Sequence, residues 1–108
     1  MDIETLREYC LSKKAVEEGF PLGEDTLVFK AGGKIFLLTG LESNPLQFNV
    51  KCDPEKALEL REKYTAVQPG YHMNKKHWNT IFVDGTLTTL QLKKLINGSY
   101  SLVNKKKG

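Results

Sequence analysis

Residues 26–41 read TLVFKAGGKIFLLTGL. Two apolar runs flank the pair Gly32-Gly33, which readily supplies the positive φ angles of a tight hairpin turn. The stretch therefore predicts two antiparallel strands in the first half of the chain, and the rest of the sequence is read outward from them. Immediately downstream, NPLQFNVKC alternates cleanly. Leu46, Phe48, Val50 and Cys52 face one way and Gln47, Asn49 and Lys51 the other, as in a strand of an antiparallel sheet with one buried face.

Helical signals bracket this sheet. Residues 2–12 predict a helix that Asp2 caps, with Glu4 in its first turn and Ile3, Leu6 and Cys10 on one face. GFPLG then breaks the pattern, because Pro21 has no place inside a central strand. Asp53-Pro54 opens a second helix with a cap residue followed by proline at the first helical position. Its apolar stripe is Ala57, Leu60 and Tyr64, and Glu59 and Lys63 form an i,i+4 pair. HWNTIFV, residues 77–83, predicts a strand closed by Asp84-Gly85. Thr88 and Gln91 have capping-box spacing at the start of a third helix, and Leu87 is placed to staple against Leu92. Leu92, Leu95 and Ile96 form its buried face, and Asn97-Gly98 is expected to stop it. SYSLV follows as an extended segment. The order implies an α+β fold, an antiparallel sheet with helices packed on one face. The expected organisation is one domain over residues 1–104 with a solvated basic tail at 105–108, and no internal repeat.

The chain has 108 residues, enough for one modest core. Its apolar and charged fractions, 40% and 27%, are those of an ordinary globule. No apolar run is long enough to span a membrane, and the acidic N-terminus MDIETLREYC does not read as a signal peptide. Cys10 and Cys52 fit no metal spacing or disulfide framework, so buried free thiols and a cytoplasmic location are expected. Charge is uneven. Residues 1–71 hold nine Lys and Arg against twelve Asp and Glu, whereas residues 72–108 hold seven Lys against Asp84 alone.

Residues 67–80, VQPGYHMNKKHWNT, concentrate both histidines, the sole tryptophan and two adjacent lysines. Metal binding is not indicated: His72 and His77 have no carboxylate nearby, and a zinc site takes three or four ligands. Nor is there a Gly-x-Ser-x-Gly elbow, a phosphate-cradling glycine loop or a cysteine in a reactive context. Glu17 and Glu18 are adjacent on a strand and point to opposite faces, so they form no acid–base pair. Nucleic acid binding needs basic groups for phosphates and flat rings for bases. Lys75, Lys76, His77 and Trp78 supply both, with Tyr71 and His72 just before, and Lys93, Lys94 and Lys105–Lys107 extend the field if they share that side. The competing reading puts Trp78 in the core and leaves the lysines as solvated surface. Only Arg7 and Arg61 are available for arginine-type base reading, and the pI of 8.8 permits nucleic acid binding without demanding it.

GFPLG, VFKAGGKIF, FNVKCDPEKALELR, PGYHMNKKHWNTIFVDG and LINGSYSLV occur in this order along nearly the whole chain. In this the sequence resembles the MmcQ/YjbR family, small bacterial proteins commonly labelled DNA-binding. Pro69, Gly70, Tyr71, His72, Asn74, Lys75, His77 and Trp78 match its diagnostic stretch, and Leu22 departs from the phenylalanine often found there. The resemblance implies a compact α+β domain, compared with secretion chaperones and with a double-wing DNA-binding domain. It brings no catalytic residues.

The resulting expectation is a cytoplasmic, non-enzymatic DNA-binding module, with a role in transcription and no cofactor. Lys75 and Lys76, helped by Lys34 and the tail lysines, would meet phosphates, and His72 and Trp78 would stack if exposed. The alternative is a protein-interaction or chaperone-like module, in homodimeric form. A third is a small-ligand site or an enzyme built around His72 and His77.

Overall fold

The computed structural model describes residues 1–71 and 73–104, so the candidate residue His72 and the basic tail at 105–108 lie outside the described residues. Helix α1 spans Ile3–Leu11, followed by strands β1 (Val16–Gly19), β2 (Thr26–Ala31), β3 (Lys34–Gly40) and β4 (Gln47–Lys51). Helix α2 (Pro54–Lys63), β5 (Val67–Pro69), β6 (Trp78–Phe82) and α3 (Thr89–Val103) complete the order. The strands form one antiparallel sheet in the order β1-β2-β3-β4-β6-β5. Its two edges are short, four residues in β1 and three in β5, the latter ending in Pro69.

The local signals explain most elements. Asp2 caps α1 by accepting from Thr5 N–H, and Asp53 caps α2 with Pro54 at its first turn. Gly32 and Gly33 take φ of 60° and 80° between β2 and β3, as the hairpin turn requires. Thr88 and Gln91 form the reciprocal capping box of α3. Glu17 and Glu18 lie opposite Lys30 and Phe29, hence on opposite faces. Glu18 meets Arg7 of α1 through two hydrogen bonds of 2.7 and 2.5 Å, which hold its carboxyl below the usual range.

One face of the sheet carries the core. Leu27, Phe29, Leu37, Phe48, Val50, Val67 and Ile81 pack there with Leu6 and Cys10 of α1 and Leu92, Ile96 and Val103 of α3. Between the pairs Phe29–Leu37 and Lys30–Ile35 the register slips by one, leaving Phe36 as a bulged residue.

Two sequence expectations are corrected. Asn97-Gly98 does not end α3, and SYSLV is helical rather than extended, because α3 continues to Val103. Glycine inside a helix costs about 1 kcal/mol relative to alanine, and burial on this last stretch outweighs that cost. Leu92, Ile96, Ser99 and Val103 recur at helical spacing and are all buried. The side chain of Asn97 makes no cap: it accepts from Tyr9 Oη at 2.7 Å and from Lys13 Nζ, tying α3 to α1. The sequence reading also missed β5, whose pairing with β6 runs from Val67–Ile81 to Pro69–Asn79.

Candidate nucleic-acid interface

The segment between β5 and β6 is fixed by its own backbone and by one arginine. Gly70 N–H donates to Trp78 O at 2.9 Å. A Cβ on Gly70 would lie 2.8 Å from Trp78 Cβ and 2.9 Å from Trp78 O, so no larger residue fits there. Asn74 closes the turn, its Oδ1 accepting from Lys76 N–H at 2.9 Å and its carbonyl from the N–H groups of His77 and Trp78 at 3.2 and 3.0 Å. His77 O in turn accepts from Cys52 N–H at 2.8 Å, joining the segment to the end of β4. Arg61, in the last turn of α2, donates through Nη2 to Lys75 O and to Trp78 O, and through Nε to Asn79 Oδ1 at 2.7 Å. Lys75, Lys76 and His77 are thereby carried on a braced turn with their side chains exposed.

Trp78 is not part of an exposed stacking platform. Only 9% of it is accessible, and Lys51 Nζ lies 5.5 Å from its ring centroid, a cation–π contact on the same face of the sheet. The ring is packing, and stacking on a base, which needs an open face, is not available to it.

The strand register collects charge that is scattered in the sequence. Val16 opposes Ala31, and Lys51 opposes Trp78, so the start of β1, the β2–β3 turn, the end of β4 and the start of β6 share one end of the sheet. Lys14, Lys34, Lys51, Lys75 and Lys76 belong to that end. Asp53 and Glu55 are there as well, with Asp53 occupied in capping α2. Glu24, Asp25, Glu42 and Asp84 belong to the opposite end, before β2 and after β3 and β6. Sequence reading found Lys34, Lys75 and Lys76 but missed Lys14 and Lys51, which only the pairing brings into this group. It also gave Arg61 no structural part; nothing local in α2 marks it as the brace.

His77 lines a shallow cavity together with Lys51, Cys52, Asp53 and Asn74. Among the described residues, no three of His, Cys, Asp and Glu are grouped to hold a metal ion. Cys10 and Cys52 are unpaired. Burial pushes the Cys10 thiol up to about 12 and raises that of Cys52, so both resist ionisation. No described helix is long and apolar enough to cross a membrane.

The combination defines a class: a small α+β domain with an antiparallel sheet backed by helices on one side and a lysine-bearing turn at one end. The YjbR family model matches residues 11–102, and the chain belongs to the YjbR family. It is 40% identical over 100 residues to YbdF of Escherichia coli O157:H7, covering 93% of this chain and 82% of the relative. Against YjbR of Escherichia coli K12 the identity is 31% over 100 residues, covering 93% and 85%. The crystal structure of Deinococcus radiodurans protein DR2400, with the domain DUF419, superposes with a TM-score of 0.91 at 41% identity, covering 96% of this chain and 79% of that one. A crystal structure of a Pseudomonas syringae protein gives 0.81 at 26% identity, covering 95% and 99%.

Proposed function

We propose that this domain binds DNA through the basic end of its sheet, without chemistry of its own, in the cytoplasm and in the service of transcription. The observation that carries the reading is the polarity just described, with Lys14, Lys34, Lys51, Lys75 and Lys76 at one end of the sheet and Glu24, Asp25, Glu42 and Asp84 at the other. Such a field attracts a polyanion and orients it. With Trp78 buried, the contact is to phosphates rather than to stacked bases, so duplex DNA should bind with little sequence preference.

A salt titration with fluorescent duplex DNA tests this. Log K should fall by about 0.9 per neutralised phosphate, and Lys75→Ala/Lys76→Ala should reduce that slope by about 1–2. Absence of binding at low ionic strength overturns the reading.

A second reading, a protein-docking module that pairs with a second copy, is favoured by Phe20 and Leu41, exposed at 50% and 44% and lining one shallow groove. A concentration-dependent mass in light scattering that Phe20→Ser abolishes supports it, and a monomeric mass at every concentration removes it.

A further inference from the structure

Between α2 and α3, on the core side of the sheet, lies a cleft of about 190 Å³. Val50 and Ile81 form its floor, and Leu60 of α2 and Leu95 of α3 its walls. Asn79 also lines it, 1% exposed. Its Oδ1 is taken by Arg61 Nε at 2.7 Å, but its Nδ2 is buried and has no partner among the described residues. Buried polar atoms are nearly always satisfied, and an exception calls for an explanation. This one is a donor buried beside a cleft with a largely apolar lining, and the partner it lacks is an acceptor oxygen.

Two further features describe the partner. Lys56 and Lys94 line the cleft from α2 and α3 and are exposed, and the carboxylate there, Asp53, caps α2. The local balance favours an anion. Gly98, also in the wall, sits inside α3 at ordinary helical φ, and a Cβ added to it would meet nothing within 4 Å. Neither backbone conformation nor close packing requires glycine at this position; what its missing side chain preserves is space. An apolar cavity of about 150 Å³ admits benzene, so this cleft holds one ring or a short branched chain together with a carboxyl group.

We propose that the cleft between α2 and α3 binds a small apolar monocarboxylate, its carboxylate oxygen accepting from Asn79 Nδ2, its body against Val50, Ile81, Leu60 and Leu95, and its charge favoured by Lys56 and Lys94. This cleft is distinct from the lysine-bearing turn between β5 and β6, but it borders the basic end of the sheet: Lys51 is among its lining residues, and Arg61, which braces that turn, holds Asn79.

The test is a titration of the full chain with benzoate and isovalerate, followed by NMR of the Asn79 side-chain amide and the Gly98 backbone amide, with benzamide as the neutral control. The acids should give saturable shifts at both positions at millimolar or lower concentration, with benzamide weaker. Asn79→Asp keeps the acceptor for Arg61 but removes the donor, and should weaken the acids by about tenfold or more. Gly98→Leu, which suits a helix better than glycine, should abolish binding while far-UV circular dichroism and salt-dependent DNA binding stay as in the wild type. Absence of saturable shifts, an undiminished response in folded Gly98→Leu, or equal binding of benzamide overturns the proposal. In the last two cases the Asn79 donor is met by water alone or by an uncharged ligand.

Discussion

The hydroxyl of Ser99 in α3 donates to the carbonyl of Phe36, the bulged residue of β3, and accepts from Lys51 N–H of β4 at 2.8 Å. One buried side chain thus satisfies backbone groups on two neighbouring strands at once. Ser99→Ala leaves both groups unpaired in the core and should cost about 1–3 kcal/mol. A chemical-denaturation series should show a lower midpoint with unchanged m-value. A midpoint equal to wild type would mean that the strands re-pair without α3.

Arg61 is expected to be irreplaceable by lysine. Its guanidinium reaches Asn79 Oδ1, Lys75 O and Trp78 O at once, and a single ammonium group has no such fork. Arg61→Lys should therefore destabilise nearly as much as Arg61→Ala and speed amide exchange in residues 74–77. Full retention of exchange protection in the lysine variant would refute the brace.

At Gly70 the expected effect is steric. A methyl group there meets Trp78 Cβ and backbone inside 3.0 Å, and β6 cannot retreat without losing its ladders to β4 and β5. Gly70→Ala should cost about 1–3 kcal/mol and lower the melting temperature by several degrees. An unchanged melting temperature would contradict this tight packing.

Cys10 sets a limit on alkaline stability. Its thiol ordinarily ionises near 9.0, and burial pushes it up to about 12. Between those values the unfolded chain sheds a proton that the native chain keeps, so the unfolded state binds fewer protons and stability falls as pH rises. The contribution is complete below pH 9.0 and is lost above it at up to about 1.4 kcal/mol per pH unit. Denaturation midpoints of wild type and Cys10→Ala should converge as pH climbs through this window; parallel curves would show that Cys10 is not the group responsible.

Much of the fold was legible because its signals are local. The Gly32-Gly33 turn, the alternation from Leu46 to Cys52, the Asp53-Pro54 start and the Thr88/Gln91 box each involve residues a few positions apart, and each was read correctly. The end of α3 was misread because Asn97-Gly98 is a local stop signal, whereas the contacts that carry the helix onward reach residues 48 and 63 positions away. Strand β5 has too few residues to declare itself and exists through β6. At the candidate site the lysines of the turn were visible and a buried Trp78 was one of the two readings of that residue, but the bracing by Arg61 and the gathering of Lys14 and Lys51 with them emerge only from long-range contacts and strand register. Asn79 gave no signal at all, since an alternating strand does not say which of its polar residues lies beneath helices.

The borders of the sheet carry one more consequence. A visiting strand finds four ladder positions along β1 and three along β5, where Pro69 lacks an N–H to give. Sheets propagate into filaments by adding strands to long, flat margins, and here neither margin is long enough to seed such growth. The protein should therefore stay free of fibrils at high concentration while natively folded, and any self-association would run through side chains rather than through backbone.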